Sequence, residues 1–292
     1  MSWYDDFAPQ VRTDVPLAPL TWFGLGGLAK YFITPQSVTQ LQAIVVRLRD
    51  ESIPIYVLGG GANLLIRDEG VNGAVIQLDG PEFKKVEIDG STVRAGAGKD
   101  VQKLLLQCTH AGLGGLDCLA GIPGTVGGEV KMNAGGSFGS IGTTVASVLC
   151  MDTNGTLLTP DKDELIFEYR QSSITAKFIL EATFHLEEDD PERILAKVKE
   201  IWMFKKNSQP LAERSAGCIF KNPRGFSAGA LIDQAGLKGT SMGGAEVSTK
   251  HANFIITNKG TRSSDVLALI ELIQQRVNDK FAVKLEPEVV IW

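Results

Sequence analysis

Two glycine clusters stand out among the residues that could do chemistry. Residues 112–142, GLGGLDCLAGIPGTVGGEVKMNAGGSFGSIG, hold 11 glycines in 31 positions, and the whole-chain content of 32 in 292 would put only three to four there. The stretch interleaves Leu113, Leu116, Leu119, Ile122, Val126, Val130 and Met132, which a flexible linker lacks. It is also without the polar bias of a disordered chain. Glycine lets backbone N–H groups approach a ligand closely, so an apolar, glycine-dense, Asn-containing segment suits a cradle for a large planar or phosphorylated cofactor. The second cluster, Gly59-Gly60-Gly61-Ala62-Asn63, follows the apolar run IPIYVL. It reads either as a loop whose amides meet an anion or as a tight turn. No Lys-Ser/Thr follows, which excludes a P-loop. Gly24 to Ala29 spells GxGxxA, but the KYFIT after it is strand-like and the next helix begins only near residue 37. A dinucleotide fingerprint needs a helix opening at its glycines, so a Rossmann unit is excluded.

Composition narrows the partners. Hydrophobic residues are 43% and charged residues 22%, the balance of a globular chain, and 292 residues allow two or three domains. Net charge is −5, which argues against general nucleic-acid binding. Between Lys197 and Lys250, however, nine cations face four anions, a local +5 that leaves −10 elsewhere. This region suits a small anionic ligand such as a nucleotide, or is a solvated surface. The cysteines, Cys108, Cys118, Cys150 and Cys218, form no CxxC pair, and three histidines give no zinc spacing. No metal centre is expected. The start MSWYDDFAPQ has no apolar segment of a signal peptide, and no apolar run approaches 18 residues. The expectation is a reduced, cytoplasmic protein acting on a small molecule, with no nucleic acid, no membrane and no partner subunit.

The elements that must position these groups follow from periodicity. Val38, Leu41, Ile44, Val45 and Leu48 repeat at helical spacing over 37–50. Strands are expected at 53–58, 64–66 and 74–78, giving a β–α–β start. Residues 84–98 read as a hairpin turning at Asp89-Gly90, and a helix over 100–111 stops at Gly112. A second hairpin spans 145–159. Phe178, Leu180, Ala182, Phe184 and Leu186 alternate as a strand with one buried face. A helix over 191–206 turns Ile194, Leu195, Val198, Ile201 and Trp202 inward, and 207–217 crosses between domains. Helices at 227–235 and 264–280 and strands at 252–257 and 285–292 complete a third unit.

Five ordered stretches carry a resemblance over nearly the whole chain: LGGGANLLI (58–66), GIPGTVGGEVKMNAG (121–135), YRQS (169–172), SAGCIFKNP (215–223) and LEPEV (285–289). Together they resemble the UDP-N-acetylenolpyruvoylglucosamine reductase family, in its compact subgroup without an inserted tyrosine loop. The resemblance implies an α+β fold, with two FAD-binding subdomains of the vanillyl-alcohol-oxidase type and an α+β substrate-binding domain. The expected division is 1–80, with the strand 284–292 returning to it, then 81–205, then 206–283. It implies FAD as cofactor and NADPH as co-substrate. The implied reaction reduces an enolpyruvyl ether to a lactyl ether: hydride passes from flavin N5 to the vinyl methylene carbon, and charge builds on the neighbouring carbon and its carboxylate.

By the same resemblance, Arg170 is the catalytic arginine that holds the carboxylate, and Glu288 is the C-terminal glutamate, with Glu286 the competing choice. Cys218 is the proton donor, where many members have serine. An ordinary thiol is a far stronger acid than a hydroxyl, but neighbouring cations would lower its pKa toward an inactive thiolate. The FAD cradle would be Gly59, Gly60, Gly61, Ala62, Asn63, Gly121, Ile122, Pro123, Gly124, Gly127, Gly128, Asn133, Ala134 and Gly135. Ala62 stands where serine is usual and would lack one hydroxyl contact. Tyr169, Asn222, Lys221 and Gln209, with Lys250, lie in substrate segments. Two other readings stay open: an oxidase on the same fold, whose reduced flavin would react with O₂, and a nucleotide-sugar-binding protein that takes up no flavin.

Overall fold

The computed structural model describes residues 2–292. In chain order, the strands and helices are β1 (Val11–Pro16), β2 (Leu28–Ile33), α1 (Val38–Asp50), β3 (Ile55–Leu58), β4 (Leu64–Leu65), β5 (Val71–Gln77), β6 (Val86–Asp89) and β7 (Thr92–Gly96). Then come α2 (Val101–His110), β8 (Leu113–Gly114), α3 (Val126–Lys131), β9 (Gly135–Gly136), β10 (Gly139–Ser140), β11 (Val145–Met151), β12 (Leu157–Leu158), β13 (Phe167–Glu168), β14 (Gln171–Ser172), β15 (Phe178–His185) and β16 (Glu187–Glu188). The last are α4 (Pro191–Ser208), α5 (Ala228–Gln234), β17 (Ser241–Met242), β18 (Ala245–Val247), β19 (Ile255–Thr257), α6 (Ser263–Phe281) and β20 (Val290–Ile291).

The chain divides into two compact units. The first holds residues up to Asp14, Lys30–Gly60 and Asn72–Phe204. The second holds Val15–Ala29, Gly61–Val71 and Lys205–Trp292. Two sheets lie mainly in the first unit, ordered β1-β2-β5-β3 and β12-β11-β15-β7-β6. One apolar core serves both. Leu41, Ile44, Val45 and Leu48 of α1 share that core with Leu104 and Cys108 of α2 and Phe178 and Phe184 of β15. The second core gathers Phe23, Leu65, Ile219, Phe220, Val266, Ile270 and Leu285. The segments 15–29 and 61–71 therefore pack with the third expected domain.

Local chemistry accounts for the helices. The Ser37 hydroxyl accepts the Gln40 N–H at 3.2 Å at the start of α1, and Asp100 accepts the Lys103 N–H at 2.8 Å at the start of α2, each satisfying an orphan donor of the first turn. Gly112, at φ +73°, ends α2 in a left-handed conformation. The Asp68 carboxylate accepts the Ser263 N–H at 3.0 Å and so caps α6 from a distant loop.

Three expectations are corrected, and one strand was not expected. The first hairpin pairs Asp89 with Thr92, so its two-residue turn is Gly90-Ser91 and not Asp89-Gly90; only Gly90 takes the positive φ, at +54°. Trp202 is 41% exposed rather than inward, because Ile194, Val198 and Ile201 already fill the buried stripe of α4. The C-terminal strand is only Val290–Ile291, pairing in parallel with Leu64–Leu65; residues 285–289 bond instead to the 219–221 segment. Strand β1 was not foreseen: its burial pattern has one buried residue, Val11, and gives no alternation to read. The rejected GxGxxA sequence runs into β2, and a Cβ on Gly27 would stand 2.5 Å from the Gly70 nitrogen. That glycine serves a close chain crossing.

Candidate functional site

In the first unit the two glycine clusters meet. A Cβ on Gly60 would stand 3.0 Å from Gly124 Cα, and one on Gly59 would stand 3.0 Å from Thr125 Oγ1. Larger side chains would fill the space between these backbones. Among the described residues, the amides of Gly60, Gly124 and Thr125 donate no backbone hydrogen bond, so they are available to an outside acceptor. Gln102 of α2 fixes the 119–122 loop: its Nε2 donates to Leu119 O at 2.8 Å and Ile122 O at 2.6 Å, and its Oε1 accepts the Gly121 N–H at 3.2 Å. Gly121 takes φ +73° there. Pro123 is half-buried beside Gly124. Gly127 has a packing role: its N–H donates to Ala97 O at 2.9 Å, and a Cβ would be 2.9 Å from Ala97 Cβ. Around Gly128 a Cβ would meet only Thr125 Oγ1, at 3.6 Å.

Arg170 sits in the two-residue turn between β13 and β14, whose register pairs Glu168 with Gln171. It adopts φ +60°, an unfavourable region for a side-chain-bearing residue. Its Nη1 donates to Gly135 O at 2.8 Å, and its guanidinium carbon lies 5.2 Å from the Tyr169 ring centre. Tyr169 itself is 53% exposed. Asn133 holds this turn from below: its Nδ2 donates to Glu168 O at 2.8 Å and its Oδ1 accepts the Gly142 N–H at 3.0 Å. The Asn133 side chain is thus committed to the protein, which favours a shaping role over direct cofactor contact. Ala134 is buried and donates its N–H to Glu129 O at 2.8 Å.

In the second unit the SAGCIFKNP segment is clamped on both sides. Cys218 bridges to Phe254 and Phe220 to Pro287, both antiparallel. Ile219 N donates to Asn253 O at 2.8 Å, Glu288 N donates to Ile219 O at 2.7 Å, and Lys221 N donates to Glu286 O at 2.9 Å. Asn253, 3% exposed, extends the pairing with its side chain: Oδ1 accepts the Phe220 N–H at 3.0 Å and Nδ2 donates to Phe220 O at 2.8 Å. Cys218 and Glu288 are thereby brought onto adjoining segments, and both are half-buried. Asn63 ties the far side, donating from Nδ2 to Glu288 O at 3.1 Å. Gly61 takes φ +65° where a Cβ would overlap the Leu20 carbonyl, and Ala62 follows it, half-buried.

The remaining expected site residues are dispersed in the second unit. Asn222 Oδ1 accepts the Ala228 N–H at 2.9 Å at the start of α5. Gln209 N donates to Lys205 O at 2.8 Å, Lys221 is half-buried, and Lys250 Nζ donates to Lys206 O at 2.5 Å. Sequence reasoning missed Gln102, Glu129 and Asn253. Glu129 is 6% exposed and fills the place a Cβ on Gly124 would take. Its signal was a carboxylate on the apolar stripe Val126-Glu129-Val130; Gln102 gave none.

Comparison with known proteins adds the decisive observation. The model of the UDP-N-acetylenolpyruvoylglucosamine reductase C-terminal domain matches residues 209–292, and that of an FAD binding domain matches 29–160. A UDP-N-acetylenolpyruvoylglucosamine reductase of Clostridium beijerinckii is 39% identical over 97% of this chain and 93% of its own. One of Shouchella clausii is 38% identical over 96% and 90%. The crystal structure of the Thermus caldophilus enzyme superposes with TM-score 0.83 at 37% identity, covering 97% of this chain and 98% of its own. The chain belongs to the UDP-N-acetylenolpyruvoylglucosamine reductase family. As a member it is an FAD-dependent oxidoreductase, and the α+β fold with its FAD-binding region stands. The residues present fit the cofactor: the matched region holds both glycine clusters, and the amides of Gly60, Gly124 and Thr125, which donate no backbone hydrogen bond, lie where the two loops approach too closely for side chains. Among the described residues of this reductase, no group of three or more His, Cys, Asp or Glu could hold a metal ion, and no helix is long and apolar enough to cross a membrane.

Proposed function

We propose that this chain reduces the enolpyruvyl ether of UDP-N-acetylglucosamine to the lactyl ether of UDP-N-acetylmuramate, with NADPH as reductant, as a cytoplasmic monomer supplying peptidoglycan precursor synthesis. Beyond family membership, one observation carries this reading. The pairing of 218–221 with both 253–254 and 286–288 sets a thiol and a carboxylate on adjoining segments.

FAD, when bound, supplies the hydride. Two electrons enter the carbon–carbon double bond at its methylene end, and the neighbouring carbon takes on negative charge shared with its carboxylate. Arg170 binds that carboxylate; a guanidinium pairs with it in two parallel hydrogen bonds and lowers the energy of the developing charge. Its left-handed backbone and the bond to Gly135 O pre-set the guanidinium. Glu288 polarises the site from its clamped position. Cys218 gives its Sγ proton to the carbanionic carbon, which completes the lactyl group, and the thiolate regains a proton from water. Tyr169, Gln209, Lys221 and Asn222 bind substrate. The amides of Gly60, Gly124 and Thr125 hold the cofactor, in a cradle whose shape the rest of Gly59–Asn63 and 121–128 and the Asn133–Gly135 turn maintain.

An anaerobic visible spectrum tests the reading. The purified protein is yellow, bleaches with NADPH, and recolours on adding UDP-N-acetylglucosamine enolpyruvate. A flavin that NADPH leaves oxidised, or that recolours only with O₂, refutes it.

A further inference from the structure

We infer that Phe204 is a positioning residue for Arg170, acting through Phe138 and the β9–β10 hairpin; this rests on the catalytic reading of Arg170. The hairpin pairs Gly135 with Ser140 and Gly136 with Gly139, leaving Ser137 and Phe138 at its tip. Its root is hydrogen-bonded: Ala134 N donates to Glu129 O at 2.8 Å and Ile141 N to Ala134 O at 2.9 Å. From that root the Gly135 carbonyl accepts the Arg170 Nη1–H at 2.8 Å. The tip is held differently. The Phe138 ring meets the Phe204 ring of α4 edge-on, with centroids 5.4 Å apart and planes at 78°, the preferred geometry of an aromatic pair.

Two features set this pair apart from ordinary core packing. Phe138 is 38% and Phe204 55% exposed, so the rings add little to the stability of the unit. The hairpin they steady is glycine-rich, and a Cβ on Gly136 would meet nothing within 4 Å. Such a loop has few side-chain contacts of its own to restrain it. The rings therefore damp the motion of the strand whose carbonyl fixes the guanidinium.

The test uses the full-length holoenzyme with Phe204→Ala and Phe204→Tyr, each in the native and the Arg170→Lys background. Two quantities are read: amide hydrogen exchange over 133–142, and the single-turnover rate at which the substrate reoxidises the NADPH-reduced protein. In Phe204→Ala, exchange over 135–140 quickens. The transfer rate falls about two- to tenfold, the equilibrium factor one edge-to-face pair represents. Phe204→Tyr restores both. With Arg170→Lys already present, Phe204→Ala costs no further rate. Unchanged exchange or unchanged rate in Phe204→Ala overturns the proposal, as does an equal loss in both backgrounds, which would route the effect around Arg170. A native rate in Arg170→Lys alone strikes the catalytic reading instead, and the proposal with it.

Discussion

Replacing Asn253 by alanine should loosen the 218–221 segment that carries Cys218. The Asn253 side chain makes two hydrogen bonds to the backbone of Phe220, at 3.0 Å and 2.8 Å, in a place where Asn253 is 3% and Phe220 1% exposed. Alanine leaves a buried N–H and a buried C=O without their partners. Each such group costs about 1–3 kcal/mol, which puts the loss at about 2–6 kcal/mol; water entering the vacated space would bring it toward the lower end. That is a large share of a domain's stability of about 5–15 kcal/mol. The same change frees Phe220 from one of its two flanking segments, leaving only the backbone bond from Ile219 N to the residue-253 carbonyl on that side, so proton delivery from the neighbouring Cys218 suffers as well. Urea unfolding followed by tryptophan fluorescence gives the stability, and single-turnover reoxidation gives the chemistry. Asn253→Asp is the sharper control, since it keeps the acceptor for the Phe220 N–H but sets a carboxylate against the Phe220 carbonyl. A midpoint for Asn253→Ala within 0.2 M of the native one, a threshold that corresponds to about 0.2–0.6 kcal/mol at typical slopes, would refute the clamp.

Three further outcomes follow from the same geometry. Burial pushes the Cys108 and Cys150 thiols up to about 11, only partly offset by Lys99 and Lys131 respectively, while Cys218 is half-buried; a thiol reagent at pH 8 should label Cys218 first and reach Cys108 and Cys150 only on unfolding, as peptide mass spectrometry would register. Cys218→Ser should keep measurable turnover, and Cys218→Ala should lose about 10²-fold or more in reoxidation rate with its flavin spectrum intact; a native rate in the alanine variant removes the thiol from the mechanism. Burial, helped by nearby Lys238, lowers the pKa of His251 below its ordinary value of 6.5, against its own backbone hydrogen bond. The unfolded chain therefore takes up a proton near pH 6.5 that the folded one resists, and stability present above that pH declines as pH falls through and below it. Unfolding midpoints between pH 7.5 and 5.5 should show this slope, and His251→Gln should flatten it.

Much of this protein is written locally. The helical repeat of 38–50 and of 263–281 needs only the 3.6-residue period to be read, and the stop at Gly112 needs only the left-handed conformation that glycine takes cheaply. The kinds of chemistry available are local too: a glycine-dense apolar run offers bare amides wherever it folds, and a thiol, a guanidinium and a carboxylate keep their character in any fold. Position is another matter. Glu288 reaches Ile219, Asn253 reaches Phe220, and Asn133 reaches Glu168 across gaps of 33 or more residues, and no periodicity in either partner announces the other. Trp202 faces outward because three neighbours had already filled the stripe, a competition that appears only once the helix is packed. Residues 285–289 stay irregular because their partner is the 219–221 segment and not a sheet. Side-chain type and spacing are properties of the chain, whereas burial, register and the closure of long loops are decided by what the rest of the molecule places alongside.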